Sequence, residues 1–320
     1  MNNVELPAPF ENEHIFSVLA RWFDTTGRND FLMTCKRVSN NLTILTPAAI
    51  WRPLYADLAK HYQDTIGIHR VIYEHTLVPY YLTFLPTEVQ DRLLDSGVIE
   101  QANLKVLPGL QNNIKAAHHW RWCNECAKED FDKYGITYWH TYHQIPTMLR
   151  CYKHQVPLIS SCQHCDFQYL FFQRHWLPPE NGRCLECEEA ITPPVVLTSP
   201  TSHWLDAVSI RLQGLQSELS FESLTELMKS KIGYQSLPSN TSLALRKEVG
   251  EIQLKFVQSI EDSLFPAYFN REREAVFKQG QKLLNIVTTV YRGSQVPPIS
   301  LLLMLKSLEL EHELTKRVVE

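Results

Sequence analysis

WRWCNECAKEDFDKYGITYWHTYHQIPTMLRCYKHQVPLISSC, residues 120–162, decides how this chain is built. It opens on Cys123-x-x-Cys126 and reaches Cys151-x-x-His154. Cys162-x-x-Cys165 and Cys184-x-x-Cys187 follow shortly after. Zn2+ is a borderline-soft ion that takes thiolate and imidazole in tetrahedral geometry. A two-residue spacer lets both members of a pair turn toward one ion, so two pairs complete one tetrahedron. Seven of the eight cysteines obey this spacing, a density that chance does not produce. The spacing predicts two zinc ions held by two structural sites, Cys123/Cys126/Cys151/His154 and Cys162/Cys165/Cys184/Cys187. Sequential pairing of the half-sites is the simplest arrangement. A cross-brace, first pair with third, binds the same number of ions and stays open at this level.

A catalytic zinc keeps one coordination position for water and has an acid or base beside it. Both sets here offer four protein ligands, mostly thiolates, which lower the Lewis acidity of the ion. The deaminase pattern H-x-E with P-C-x-x-C is absent, because Trp122 precedes Cys123 and Ser161 precedes Cys162. H-E-x-x-H, the G-x-x-x-x-G-K-[ST] phosphate loop, G-x-S-x-G and G-x-G-x-x-G are absent as well. Structural metal and no enzyme is therefore expected. Cys35 is left over in a helical context and is expected to be a buried free thiol. His118, His119, His140, His143, His164 and His175 fall in the same zone. With both tetrahedra filled, each is expected to be a core or surface histidine. Trp120, Trp122, Tyr138, Trp139 and Tyr142 are expected to pack beneath the metal loops.

Away from this zone the chain is patterned for helices, so the fold class is mainly α. Three domains are expected: an N-terminal helical, helix-turn-helix domain (1–117), a double zinc-binding module of ribbon or knuckle type (118–192), and a C-terminal helical, helix-turn-helix-like domain (193–320). From His14 to Phe23, Ile15, Val18, Leu19 and Trp22 share one helical face, and Gly27 follows as a stop. Thr46-Pro47 reads as a helix start, with Pro53 ending or kinking that helix. From Pro53 to about Tyr81 the pattern is helix, turn at Gly67, helix, the geometry by which a second helix enters a major groove and equally a common packing unit with no DNA role. Four further amphipathic stretches lie within residues 202–216, 219–233, 244–265 and 299–318, separated by Gly and Pro.

A net charge of −4 does not hold nucleic acid by bulk attraction, so any DNA contact must come from a local patch. Arg52, Lys60, His69 and Arg70 are the candidates for phosphate contact in the helix-turn-helix, a thin set. The N-terminus lacks a basic region followed by an apolar run, and no stretch is apolar enough to span a bilayer. The expected location is the cytoplasm, where paired cysteines are metal ligands more often than disulfides.

The order of these features resembles the TniQ/TnsD family of DNA-transposon target-selection proteins. The resemblance lies in LPAPFENEHIFSVLARWFDTTG at the start, in HRVIYEHTLVPYYLTFLP, and most strongly in residues 120–162. There an aromatic residue and C-x-x-C are followed by acidic residues, Y-G, Y-W-H, H-Q, and C-x-x-H with P-L two residues on. It covers roughly residues 4–190. The resemblance implies a non-catalytic bacterial adaptor that marks an integration site and recruits the AAA+ regulator TnsC. Some family members read target DNA directly; others ride on an RNA-guided Cascade complex. It further implies that the N-terminal region, His14 to Gly27 included, is a candidate contact for the ATPase. The competing reading is an autonomous zinc-containing, sequence-specific DNA-binding regulator.

Overall fold

His14 starts the first helix because its ring does what a cap must do. Its Nδ1 accepts from the Phe16 N–H at 3.2 Å, satisfying an orphan donor at the start of α1 (Ile15–Thr25). Gly27, at φ +62°, ends the helix in the left-handed region that suits glycine. A computed structural model describes residues 4–42, 45–47, 49–94, 104–105, 114–115, 119–169, 172, 174–214, 219–237, 242–277 and 282–315. The chain is mainly helical and forms two compact units. The first comprises residues 1–79, 92–105 and 116–196, and the second comprises 80–91, 106–115 and 197–320.

α1 is a core helix of the first unit: eight of its eleven residues are buried and only Asp24 and Thr25 are exposed. This differs from the expected contact surface over His14–Gly27. The apolar side chains that mark the helix in sequence are spent inward, and only its C-terminal end meets solvent. Glu13 and Arg21 form a buried pair at 2.7 Å, with Arg21 also donating to Ala8 O and lying over the Phe10 ring. A short α2 (Phe31–Cys35) follows, capped by Asp30.

The helix expected from Thr46-Pro47 does not form. Residues 49–51 are instead a short strand, β1 (Ala49–Trp51), paired antiparallel with β2 (Leu104–Lys105). Pro53 begins a helix rather than ending one. Its ring pushes Arg52 into extended backbone and suits the first position of α3 (Pro53–Lys60), where no N–H is needed. α3 and α4 (Ile68–His75) follow one another across a turn at Gly67, and Leu54, Leu58, Ala59, Val71 and Ile72 on them are buried. Thr76 then breaks the helix: its Oγ1 donates to Ile72 O and accepts from Val78 N at the start of α5 (Val78–Leu82). α6 spans Thr87–Leu94.

The cysteine-rich segment shares its core with α1. Glu13 bridges to His140, the Trp139 carbonyl accepts from His14 N at 2.8 Å, and Ser17 Oγ accepts from Trp139 N at 2.9 Å. Trp120, Trp122, Tyr138 and Trp139 are buried and Tyr142 is half-buried, as the aromatic spacing suggested. Trp120 lies 5.1 Å from the His14 ring and 5.5 Å from Trp139.

The second unit is built from four longer helices. α8 (Pro200–Gly214) follows α7 (Asn124–Tyr134) of the cysteine-rich segment in chain order. α9 (Phe221–Ile232) has a capping box at Ser220/Ser223 and a left-handed Gly233, and α10 (Leu243–Ser259) is capped by Ser242. Short α11 (Leu264–Tyr268), α12 (Arg273–Phe277) and a π-helical turn at Val287–Tyr291 precede α13 (Pro298–Ser307). α13 is apolar all round and buried from Pro298 to Leu305. It is shorter than the 299–318 stretch suggests: Glu309, at φ +56°, turns the chain into a 3-10 segment.

Candidate metal centres

The four half-sites are of two structural kinds. Cys123 is the residue before α7 (Asn124–Tyr134) and Cys126 lies in its first turn. The other three are hairpin turns of one design. In each, the residue before the first ligand bridges to the third residue after the last: Arg150 to Pro157, Ser161 to Gln168, Arg183 to Ala190. The first ligand's N–H donates across the turn, Cys151 to Val156 O, Cys162 to Phe167 O and Cys184 to Glu189 O, at 2.8–2.9 Å. Its sulfur accepts a backbone N–H from inside the turn, from Lys153 and His154 at Cys151, from His164 at Cys162 and from Glu186 at Cys184. The residue after each second ligand takes positive φ: Gln155 +57°, Asp166 +55°, Glu188 +61°.

These turns converge in sequential pairs. The ligand atoms of Cys123, Cys126, Cys151 and His154 lie within 4.8 Å of one another, as do those of Cys162, Cys165, Cys184 and Cys187. Cys126 and Cys151 sulfurs are 3.5 Å apart; Cys162–Cys187 and Cys165–Cys184 are each 3.7 Å apart. A disulfide brings sulfurs to roughly 2.05 Å. A tetrahedron with metal–sulfur bonds of about 2.3 Å has edges of roughly 3.8 Å. The observed spacings match the tetrahedral edge, so both groups can hold a metal ion. His154 presents Nδ1, at 3.5, 3.3 and 3.7 Å from the sulfurs of Cys123, Cys126 and Cys151. Four donors close each group and leave no open position for water. Facing thiols of Cys123 and Cys126, with backbone N–H donors opposing the effect of burial, draw Cys151 down to about 2. The facing sulfurs of Cys123 and Cys151, together with burial, push Cys126 up, so within this group Cys151 ionises before Cys126.

Two residues beyond the expected ligands complete the first group. Glu129 Oε1 sits 3.1 Å from His154 Nε2, and its other oxygen pairs with Lys153. It therefore accepts the Nε2 proton and leaves Nδ1 as the lone pair facing the sulfurs. A sequence signal existed for it, since Glu129 follows Cys126 by three residues on one helical face. His143 is fully buried, with Nε2 3.4 Å from Cys151 Sγ and 3.9 Å from Cys126 Sγ. The two metal segments are joined by Asn124, which accepts from Trp122 Nε1 and donates to Ile191 O, each at 2.9 Å.

Of the remaining histidines, His140 stands beside the first group, its ring nitrogen within 4.8 Å of the Cys126 and His143 ligand atoms. His140 pairs with the buried Asp130 at 2.8 Å, and His175 pairs with Glu186 at 2.6 Å. His164 is exposed and His119 half-buried, while His118 lies outside the described residues. Cys35 is a buried thiol pushed up to about 12 by desolvation, which makes it unreactive. Among the cations expected to meet phosphate, Arg52 is turned inward, donating to Thr46 O at 3.0 Å over the Phe16 ring. Lys60, His69 and Arg70 are exposed; His69 stacks on Tyr73 and Arg70 pairs with Glu74 at 2.9 Å.

The segment that builds α1 to α4 and the first metal group also carries the likeness to known proteins. Residues 6–158 match the TniQ family model. Just under half of the chain is thus similar to the TniQ family. Transposon Tn7 transposition protein TnsD of Escherichia coli is 27% identical over 153 residues, which is 46% of this chain and 30% of that protein. The matched region ends just after His154 and does not reach the second group. The sequence motifs inside it are mostly structural. Gln144 of H-Q accepts from Arg121 N and donates to Arg121 O, so the two motifs clamp each other. His75 Nδ1 meets Glu13 O at 2.8 Å. No helix among the described residues is long and apolar enough to cross a membrane.

Proposed function

We propose that this chain is a non-catalytic, cytoplasmic target-selection component of a DNA transposition system, which marks an integration site and recruits the AAA+ regulator TnsC. The observation that carries this reading is the match to the TniQ family over residues 6–158, supported by the likeness to TnsD, a transposition protein. We propose further that both cysteine groups hold Zn2+, since their sulfur–sulfur spacing suits a tetrahedral thiolate ion and four donors exclude a catalytic water. The metals then brace loops that have little apolar core of their own. The target is reached in one of two ways, by direct DNA contact or through an RNA-guided Cascade complex. Lys60, His69 and Arg70 on α3 and α4 are the exposed cations we assign to phosphate. With Arg52 engaged inward they are few, and this supports the adaptor over an autonomous sequence-specific DNA-binding regulator.

Retention assays with the purified zinc-loaded chain test this reading. We expect it to retain the TnsC encoded with it, and to be retained by a guide-RNA Cascade complex or by a cognate attachment-site duplex. Tight site-specific DNA binding by the protein alone, with no retention of TnsC, is the result of the regulator and overturns the adaptor.

A further inference from the structure

We infer that His143 is an outer-sphere donor at the first metal centre, its Nε2–H hydrogen-bonding the Cys151 thiolate, with Cys126 at its margin, while the metal is held by the other four residues. The geometry separates the two imidazoles near this centre. A ligating histidine gives its second ring N–H to a carboxylate, carbonyl or water. His154 does so, to Glu129 at 3.1 Å. His143 Nδ1 is buried and has no hydrogen-bond partner. Were Nε2 of His143 the ligand, its proton would sit on Nδ1 as a buried, unsatisfied N–H. With the proton on Nε2, the donor faces sulfur at 3.4 Å and only a weak acceptor is left without a partner.

The site also has a need for such a donor. Three thiolates and a neutral imidazole around a dication leave one net negative charge. Cys123, Cys126 and Cys151 are 0–2% exposed, so water cannot spread that charge. Cys151 already accepts from Lys153 N and His154 N, each at 3.4 Å, and His143 is its third donor. The second centre carries more charge but is wetter, with Cys165 exposed and Cys187 half-exposed. The 3-10 turn Tyr142–Gln144 holds His143 in place, and Gln144 anchors that turn by donating to Arg121 O and His140 O.

The inference rests on reading Cys123, Cys126, Cys151 and His154 as a metal centre. Full-length protein isolated without metal there would remove that reading, whereas the following comparison addresses His143 alone. In His143→Gln the amide nitrogen falls near the position of Nε2; in His143→Asn it falls near Nδ1 and stops short of sulfur. With Co2+ as the probe, we expect His143→Asn to keep the tetrahedral ligand-field bands, shift the thiolate charge-transfer band, and release metal to a chelator about 10–100-fold faster. His143→Gln should hold metal nearly as well as the parent, and the second centre should be unchanged in both variants. Equal release by parent and both variants overturns the inference. So does equal acceleration in Asn and Gln, which marks a packing role. Collapse of the ligand-field bands in His143→Asn, as expected for His154→Ala, would make His143 a ligand and overturns it too.

Discussion

Glu129 fixes the tautomer of His154, and its loss should be felt at the metal rather than in the fold. The carboxylate lies on the exposed side of α7, so its removal leaves the core intact. We expect Glu129→Ala to lose metal from the first centre to a competing chelator about 10–100-fold more readily, and Glu129→Gln, which still offers an amide oxygen, to lose less. The grouping of the eight candidate ligands was legible in the sequence because chelation by a short turn demands fixed spacing. His143 was not, because only the folded turn at Tyr142–Gln144 returns it to the sulfurs. His14 carries a second residue-scale consequence. Burial, then the nearby charges of Arg52 and His75, lower its pKa from 6.5 to about 3. The unfolded chain therefore takes up this proton first. The stability contributed by neutral His14 is complete above pH 6.5 and is lost as pH falls from 6.5 toward 3, by about 1.4 kcal/mol per unit. His14→Asn keeps a capping oxygen without the titration. It should be less stable than the parent at pH 7, with the gap closing by roughly 3 kcal/mol by pH 4.5 in paired denaturant titrations.

Elements differed in how far the sequence could foretell them. The long helices of the second unit were readable because each signals itself: Ser220 and Ser242 cap, Gly233 stops, and Pro297-Pro298 restarts. β1 was not readable, since its pairing with Leu104–Lys105 lies far along the chain and Ala-Ile-Trp alone reads as well in a helix. The hairpin turns at the metal centres hold a detail that neither pattern nor composition exposes. Gln155, Asp166 and Glu188 occupy a left-handed position that costs a side-chain-bearing residue roughly 1–2 kcal/mol. Glycine removes that cost but gives the unfolded chain roughly 0.5–1 kcal/mol more freedom to lose. Glu188→Gly and Gln155→Gly should each raise unfolding free energy by about 0.5–1 kcal/mol in the metal-loaded protein. Asp166→Gly should gain least, because aspartate tolerates this region. A loss of stability in all three would show that these side chains do more than turn the chain.

At the scale of the molecule, both cysteine groups fall in the first unit, where they adjoin its apolar core, while the second unit rests on apolar core alone. The first unit joins α1 to both cysteine groups through one aromatic cluster, in which the Trp139 ring lies 5.5 Å from Trp120 and 6.2 Å from Trp122. Its hairpin turns bury few apolar side chains of their own, so chelation removes the constraint that holds that cluster together. The second unit contains neither cysteine group and buries Leu205, Leu212, Leu224, Met228, Phe256 and the length of α13. Six of the seven tryptophans, at 22, 51, 120, 122, 139 and 176, belong to the first unit; Trp204, beneath Lys306 at 5.0 Å, belongs to the second. Removing metal with a strong chelator should therefore shift the bulk of the tryptophan emission to the red and erase most of the near-ultraviolet circular dichroism. A variant retaining Trp204 alone should keep its emission, and the far-ultraviolet signal should fall by much less than the tryptophan signal. Loss of both signals in one transition would show that the helical unit depends on the metals too; retention of both would deny the metals their structural part.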